Sequence, residues 1–245
     1  MTIEWQIQSF DSLESTQDKA IEEAKKGAEE GTVIQALTQT KGRGRHRNEW
    51  NAPEGNIYLT YILRPDYDLR MAGQVSFIAA LAVAETLAQY INEDQLKVNV
   101  KWPNDVLVDG LKISGILLES DADGLDINYL IIGVGINIAN RPINNSVCLN
   151  DITGNKENID RIRDQFLDKF LFLYEHWRQA GFGPIREQWL SRAYKLNEVI
   201  TARLPNETYQ GVFQDITHSG ALVLKDHEGV THEIHAAEIY FEEAA

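Results

Sequence analysis

Val98-Asn99-Val100-Lys101-Trp102-Pro103-Asn104-Asp105-Val106-Leu107-Val108-Asp109-Gly110-Leu111-Lys112-Ile113-Ser114-Gly115-Ile116-Leu117-Leu118-Glu119 is the stretch that decides the fold. Residues 98–102 and 106–108 are short β-rich runs on either side of Pro103, and Asp109-Gly110 turns the chain into a third run over 112–119. An Asp-Gly pair between apolar runs is a strong hairpin signal, because the two-residue turn needs positive φ. The chain therefore builds short strands here, and helical patterns flank them.

Toward the N-terminus, Val75, Ile78, Ala82 and Leu87 recur at helical spacing and predict a core helix over 71–90. Residues 56–63 read as a strand stopped by Pro65, and 32–37 as another that runs into the glycine-containing loop 40–45. Ser15 followed three residues later by Asp18 is a capping signal, predicting a helix to about residue 29. Toward the C-terminus, 129–138 is a strand and 139–158 a loop with at most one helical turn. Phe166, Phe170, Leu173 and Trp177 mark an amphipathic helix, and Pro184 opens a shorter one. After Leu196 apolar and polar residues alternate between Pro205-Asn206, Ser219-Gly220 and Glu228-Gly229, the spacing of a small β-barrel. The fold class is α+β, with a body over 1–195 and a β cap over 196–245. No internal repeat or low-complexity tract occurs.

Against 37 acidic residues stand 23 basic ones, a net charge of −14 in 245 residues, and the pI is near 4.8. A dedicated nucleic-acid binder would carry the opposite sign. Cys148 is the single cysteine, which rules out an internal disulfide framework and a multi-Cys zinc site. The most apolar run, 77–84, is too short for a bilayer, and no basic leader with an apolar stretch opens the chain. The expected location is the cytoplasm, with no membrane and no nucleic acid as partner.

Most generic motifs are absent, including the phosphate-binding P-loop and the G-x-S-x-G elbow. Gly42-x-Gly44 and Gly133-x-Gly135 each lack the third glycine of a dinucleotide fingerprint. His227, His232 and His235 resemble a ligand cluster, but an odd spacing puts 232 and 235 on opposite sides of a strand, so a solvated strand is favoured and no metal ligands are assigned. Gly42-Arg43-Gly44-Arg45-His46-Arg47 is different. Three arginines in five residues run against the charge of the whole chain and form a local anion trap, though a solvated basic turn reads the same way locally. Lys101-Trp102-Pro103-Asn104-Asp105 ends a strand with a cation, an aromatic, an amide and a carboxylate. Lys112 follows the hairpin turn at the edge of an apolar strand.

Taken in order, Ser15-Thr16-Gln17, then Gln39-Thr40-Lys41-Gly42-Arg43-Gly44-Arg45 reaching Trp50, then Lys101-Trp102-Pro103-Asn104-Asp105 with Lys112 and Gly115, then Gly133-Val134-Gly135-Ile136-Asn137, resemble the biotin protein ligases from about Phe10 onward. The Gly-Arg-Gly-Arg loop and the Lys-Trp-Pro-Asn-Asp stretch are the most specific. That resemblance implies a mixed-sheet catalytic domain backed by helices, like class II synthetases, followed by an SH3-like β-barrel. It also implies the monofunctional form, without the winged helix-turn-helix of relatives that act as repressors. Two departures stand out: Arg47 replaces a glycine frequent in the family, and Ala236-Ala237-Glu238-Ile239 stands where a Gly-Glu pair is common.

The implied reaction activates biotin with ATP and Mg²⁺ as biotinyl-5′-AMP, then transfers it to a lysine of a biotin carboxyl carrier domain of a carboxylase. Biotin and ATP are substrates, and no tightly bound prosthetic group is expected. By position in the motifs, Ser15, Thr16, Gln17, Gln39, Arg43, Gly44, Arg45, Lys112 and Gly115 are expected to bind biotin. Arg43, Arg45, Arg47, Trp50, Asn104 and Asn137 are expected to meet the nucleotide, and Lys112, Arg45 and Asp105 to carry catalysis. Trp50 and Trp102 either stack on adenine or pack. Two rivals share parts of this pattern: a lipoate–protein ligase, whose Arg-Arg…Gly-Gly-Gly stretch is missing here, and a biotin sensor that does not transfer.

Overall fold

The structure, a computed structural model, describes residues 3–45, 48–235 and 237–240. Seven strands form a mixed sheet: β1 (Gln6–Leu13), β2 (Thr32–Gln39), β3 (Ile57–Leu63), β4 (Val98–Lys101), β5 (Asp105–Val108), β6 (Leu111–Asp123) and β7 (Asp126–Ile136), in the spatial order β1-β2-β3-β7-β6-β5-β4. β1 and β2 run parallel around helix α1 (Thr16–Lys25), and every other neighbouring pair is antiparallel. Asp109 and Gly110 both take positive φ, 51° and 81°, as the hairpin reading requires. β1 is an addition to that reading; it is a mostly exposed edge strand.

Alternation divides the sheet into two faces. Val33 and Tyr61 point to one, where helices α2 (Gln74–Leu87), α4 (Ile159–Ala180) and α5 (Phe182–Ser191) cover the main core; α3 (Leu149–Thr153) is the helical turn in the 139–158 segment. Phe166, Phe170, Tyr174 and Trp177 of α4 form a run of ring contacts that includes Tyr61. Ile34, Ile62 and Ile131 point to the other face, where Ala20 and Ala24 of α1 close a smaller core. α1 ends at Lys25 rather than near 29. Gly27 adopts φ +92° and its N–H donates to the Ala24 carbonyl, while the Ala28 N–H donates to Glu23, a left-handed stop that helix-forming neighbours conceal. α2 likewise starts at Gln74, later than read, because residues 69–71 form a 3₁₀ turn.

Arg64 ties the end of α1 to the sheet. Its guanidinium donates to the carbonyls of Ala24 (2.8 Å), Ala28 (2.9 Å) and Asn128 (3.0 Å) and sits over the Tyr129 ring. Arg64→Met should lower the free energy of unfolding by about 2 kcal/mol, since charge-assisted bonds to terminal helix carbonyls are lost. A urea titration checks this: the midpoint should fall with an unchanged slope.

The C-terminal strands β8 (Val199–Arg203), β9 (Thr208–Ile216), β10 (Leu222–Lys225), β11 (Thr231–Ile234) and β12 (Glu238–Tyr240) make an antiparallel sheet ordered β11-β10-β9-β8-β12. Its end strands are not paired with each other among the described residues, so no closed barrel forms there. Ile200, Phe213 and Leu222 join the main core of the body. Two further ties come from side chains: Trp102 Nε1–H donates to the Gly220 carbonyl at 2.9 Å, and Gln74 donates to His218 O while accepting from Trp177 Nε1–H. Trp102 therefore packs, at 3% exposure, and links body to cap. His232 pairs with Asp226 at 2.7 Å, and no group of three metal-ligating side chains gathers among the described residues. Nor is any helix among them long and apolar enough to cross a membrane.

Candidate active site

On the α1 face of the sheet, three rows of side chains run across β3, β7 and β6. Tyr58, Gly135 and Gly115 face one another in the first row, and Asp105 of β5 extends it; Thr60, Gly133 and Leu117 make the second; Ile62, Ile131 and Glu119 the third. A cleft of about 380 Å³ opens over the first two rows. The glycines are what make it a cleft. A Cβ on Gly133 would lie 2.4 Å from Gln17 Oε1, so the glycine gives the Gln17 amide, in the first turn of α1, its place against the sheet. A Cβ on Gly135 would lie 2.5 Å from Trp50 Cζ2, and one on Gly115 would lie 2.9 Å from Trp50 Cζ3. The Trp50 indole lies across these two glycines.

At the second row, the start of α1 supplies a buried polar knot. Ser15 caps the helix by accepting from the Asp18 N–H. Gln39 Oε1 accepts from both the Thr16 N–H (2.7 Å) and the Thr16 hydroxyl (3.0 Å); the Thr60 hydroxyl donates to Thr16 Oγ1 at 2.9 Å. Thr60 is fully buried and sits in the middle of a strand, so periodicity alone gave no reason to single it out. These amides and hydroxyls suit a neutral polar group with both donors and acceptors.

Cations gather at the first row. Lys112 Nζ pairs with Asp105 at 2.7 Å and stands 5.4 Å from the Trp50 ring centroid. β5 and β6 slip register between Val106 and Leu107, so Lys112 lies opposite Leu107 and reaches back over Gly115. Arg45 donates to Asn104 Oδ1 at 3.3 Å, and Asn104 is fixed by donating to the Ile116 carbonyl. Asn137 is 2% exposed and donates to the Val147 carbonyl, while its Oδ1 accepts no hydrogen bond. A buried acceptor left open beside a cleft is suited to a ligand donor. Tyr58 closes the first row by donating to the Pro53 carbonyl at 2.8 Å. Burial pushes its phenol up to about 12, against a smaller lowering by hydrogen bonding with Asn56, so it stays a donor.

The basic loop is held as two arms. Bridges pair Gln39 with Ala52 and Arg43 with Glu49; Trp50 N–H donates to Gly42 O, and Gly44 N–H to Asn48 O. Gly42 is required for close approach, since a Cβ there would lie 2.3 Å from the Trp50 carbonyl, whereas Gly44 has room for one. Arg43 faces the cleft rim and pairs with Asp18 (2.5 Å) and Glu119 (2.6 Å). Burial acts to lower its pKa, and the two carboxylates more than offset that, so it lies above the ordinary arginine value. Ser15, Thr16, Gln17, Gln39, Arg43, Gly44, Arg45, Trp50, Asn104, Asp105, Lys112, Gly115 and Asn137 thus all line one cleft. Arg47 lies outside the described residues. Sequence reasoning missed Tyr58 and Thr60, and also the far wall, where Ala237, Ile239 and Tyr240 come from the C-terminal sheet.

Residues 9–137 match the model of the biotin/lipoate A/B protein ligase family, and residues 195–242 match that of the biotin protein ligase C-terminal domain. The biotin–[acetyl-CoA-carboxylase] ligase of Paracoccus denitrificans is 37% identical over 85% of this chain and 89% of its own. The bifunctional ligase/repressor BirA of Bacillus subtilis is 36% identical over 94% of this chain and 72% of its own. Among solved structures, the biotin protein ligase of Aquifex aeolicus in complex with biotin and ATP superposes with a TM-score of 0.81, at 25% identity, over 97% of this chain and 99% of that one. By these matches, over nearly its whole length, the chain belongs to the biotin/lipoate A/B protein ligase family, among its biotin protein ligases.

Proposed function

We propose that the protein joins biotin to a lysine of a biotin carboxyl carrier domain in two ATP-dependent steps. The observation that carries this is the single cleft in which a buried amide–hydroxyl knot adjoins a cluster of cations. The knot of Thr16, Gln17, Gln39 and Thr60 suits the ureido ring of biotin, and the Trp50 indole beside it offers a face to its apolar body. In the first step an oxygen of the biotin carboxylate attacks the α-phosphorus of ATP, and the bond to pyrophosphate breaks. Bringing a carboxylate to ~4 Å from a phosphate costs roughly 4 kcal/mol per charge pair at an effective dielectric near 20. Lys112 and Arg45 offset this and gain most as charge moves to the leaving group. ATP arrives as its Mg²⁺ complex, the ion counted with the substrate.

In the second step the acceptor ε-amine attacks the biotinyl carbonyl and AMP departs with the bonding electrons. The amine must shed a proton, and Asp105, which lines the cleft along with Glu49, is the carboxylate beside Lys112. Substrates supply both nucleophiles, so the chain needs no Ser-His-Asp or Cys-His set. Asn104 and Asn137 orient the nucleotide. We assign residues 1–195 as the biotin- and ATP-binding catalytic unit and 196–245 as an accessory unit that closes the cleft with β12.

Incubation with biotin, Mg·ATP and a biotin carboxyl carrier domain tests the proposal by the mass of the carrier. The expected result is one added biotinyl group on one lysine. A carrier modified only when lipoate replaces biotin would move the protein to the other activity in the family's name, and AMP release without carrier modification would count against transfer.

A further inference from the structure

The rim of the cleft carries an ion-pair triad whose two carboxylates have no part in the two steps proposed above. Asp18 is in the first turn of α1, Glu119 is in the third row on β6, and Arg43 of the basic loop bridges them, with Nη1 to Asp18 Oδ1 at 2.5 Å and Nη2 to Glu119 Oε1 at 2.6 Å. One guanidinium thus spans from helix to sheet across the mouth of the cleft.

We infer that Asp18 and Glu119 are positioning residues, which act through Arg43 to fasten the basic loop over bound biotinyl-5′-AMP and so set how long the intermediate is retained.

Three observations support this clasp. The loop arms are held by two isolated bridges, by backbone bonds from the amides of Thr40, Lys41, Gly44, Asn48 and Trp50, and by the Lys41–Glu14 and Arg45–Asn104 contacts; to these the triad adds two charge-assisted bonds that tie one loop residue to both α1 and β6. The second oxygen of Glu119 is buried without a hydrogen-bond partner, so a loop that opens strands a partly desolvated carboxylate, and closure regains its counter-charge. Two carboxylates share one planar fork, so the second pair orders no further arginine side chain. The pairs are nonetheless partly exposed, with side-chain exposures of 36% for Arg43, 56% for Asp18 and 34% for Glu119, and the clasp remains breakable and sensitive to salt. A clasp of this strength suits an intermediate that must stay bound until a carrier arrives and must then be uncovered. In naming the intermediate the inference rests on the ligase reading; in naming the clasp it does not.

The test uses the full chain and the pair of substitutions Asp18→Asn and Glu119→Gln, with two readouts. In the ligand-free protein, hydrogen exchange of the Gly44 and Trp50 amides should quicken roughly five- to thirtyfold in the double variant, and added salt should quicken it in the unaltered chain but not in the variant. Once biotin and Mg·ATP have been supplied, stopped-flow release of biotinyl-5′-AMP should quicken by a similar factor, again without salt dependence, while biotin alone leaves at a rate changed less. Glu119→Asp, which keeps the charge, should retain most of the lifetime. Unchanged exchange of the two amides, or acceleration equal at every ionic strength in both proteins, overturns the clasp. A double variant that clasps normally in the exchange experiment but forms no adenylate, in parallel with an unaltered chain that forms none, counts instead against the ligase reading.

Discussion

Replacing Lys112 with alanine should slow formation of biotinyl-5′-AMP by roughly 10²- to 10³-fold, the scale seen when one preorganised charge stabiliser is removed. Lys112 is held on two sides, by Asp105 at 2.7 Å and by the face of Trp50, so its ammonium is already aimed before substrate arrives and costs little to reorganise. The loss should appear chiefly in the rate of pyrophosphate release at saturating biotin, with a smaller change in biotin affinity, because the charge it answers develops in the transition state. Lys112→Arg should recover only part of the rate, since the fork does not reproduce a compact ammonium above Gly115. Isotope exchange between pyrophosphate and ATP measures the step directly. An alanine variant with undiminished exchange would remove Lys112 from the chemistry.

A second large effect is expected from filling the floor of the cleft. Gly135→Val places branched carbon where the Trp50 indole already lies, a Cβ alone coming within 2.5 Å of it. Overpacking of this kind costs about 1–3 kcal/mol of stability. The functional loss should be larger, at least roughly 10²-fold in adenylation, because a wall displaced by about 1 Å spoils the alignment of carboxylate and phosphate. Gly135 has no positive φ, so backbone strain does not confuse the result. Combining Gly135→Val with Trp50→Ala should restore the melting temperature toward that of the unaltered protein while leaving adenylation impaired. If the pair restores neither, the collision with Trp50 is not what the glycine avoids.

Most of the order of elements was legible in local cues, such as Asp109-Gly110 for the hairpin and Ser15 with Asp18 for the helix start, and Arg43 and Arg45 stood out against the overall charge; the rest of the residues that gather at the cleft were legible only through the resemblance in motif order. What escaped were features that exist only after pairing. Residues 6–13 alternate weakly and expose most side chains, and they become a strand through a parallel partner beyond a helix. Thr60 is a polar residue inside a wholly buried strand, explained only when Thr16 arrives from α1. Gly133 and Gly135 look in sequence like a failed dinucleotide fingerprint. Their use is set by what lies above them, Gln17 and Trp50, from more than eighty residues earlier in the chain. The motif places Arg43 with biotin and the nucleotide, and only the fold reveals the two carboxylates that engage it.

The far wall of the cleft has a consequence for how the protein is born. Ala237, Ile239 and Tyr240 line the same cleft as residues as early as Ser15, and Trp102, two residues before Asn104, is secured by the carbonyl of Gly220. On a ribosome the chain emerges in sequence order, so the polar knot and the cations are outside the exit tunnel long before the strand that encloses them. A nascent chain can order its main sheet, yet it cannot shelter a reactive acyl-adenylate until β12 has emerged. The enclosed cleft is thus completed only when the last strand of the C-terminal sheet has joined the first turn of α1 in lining it.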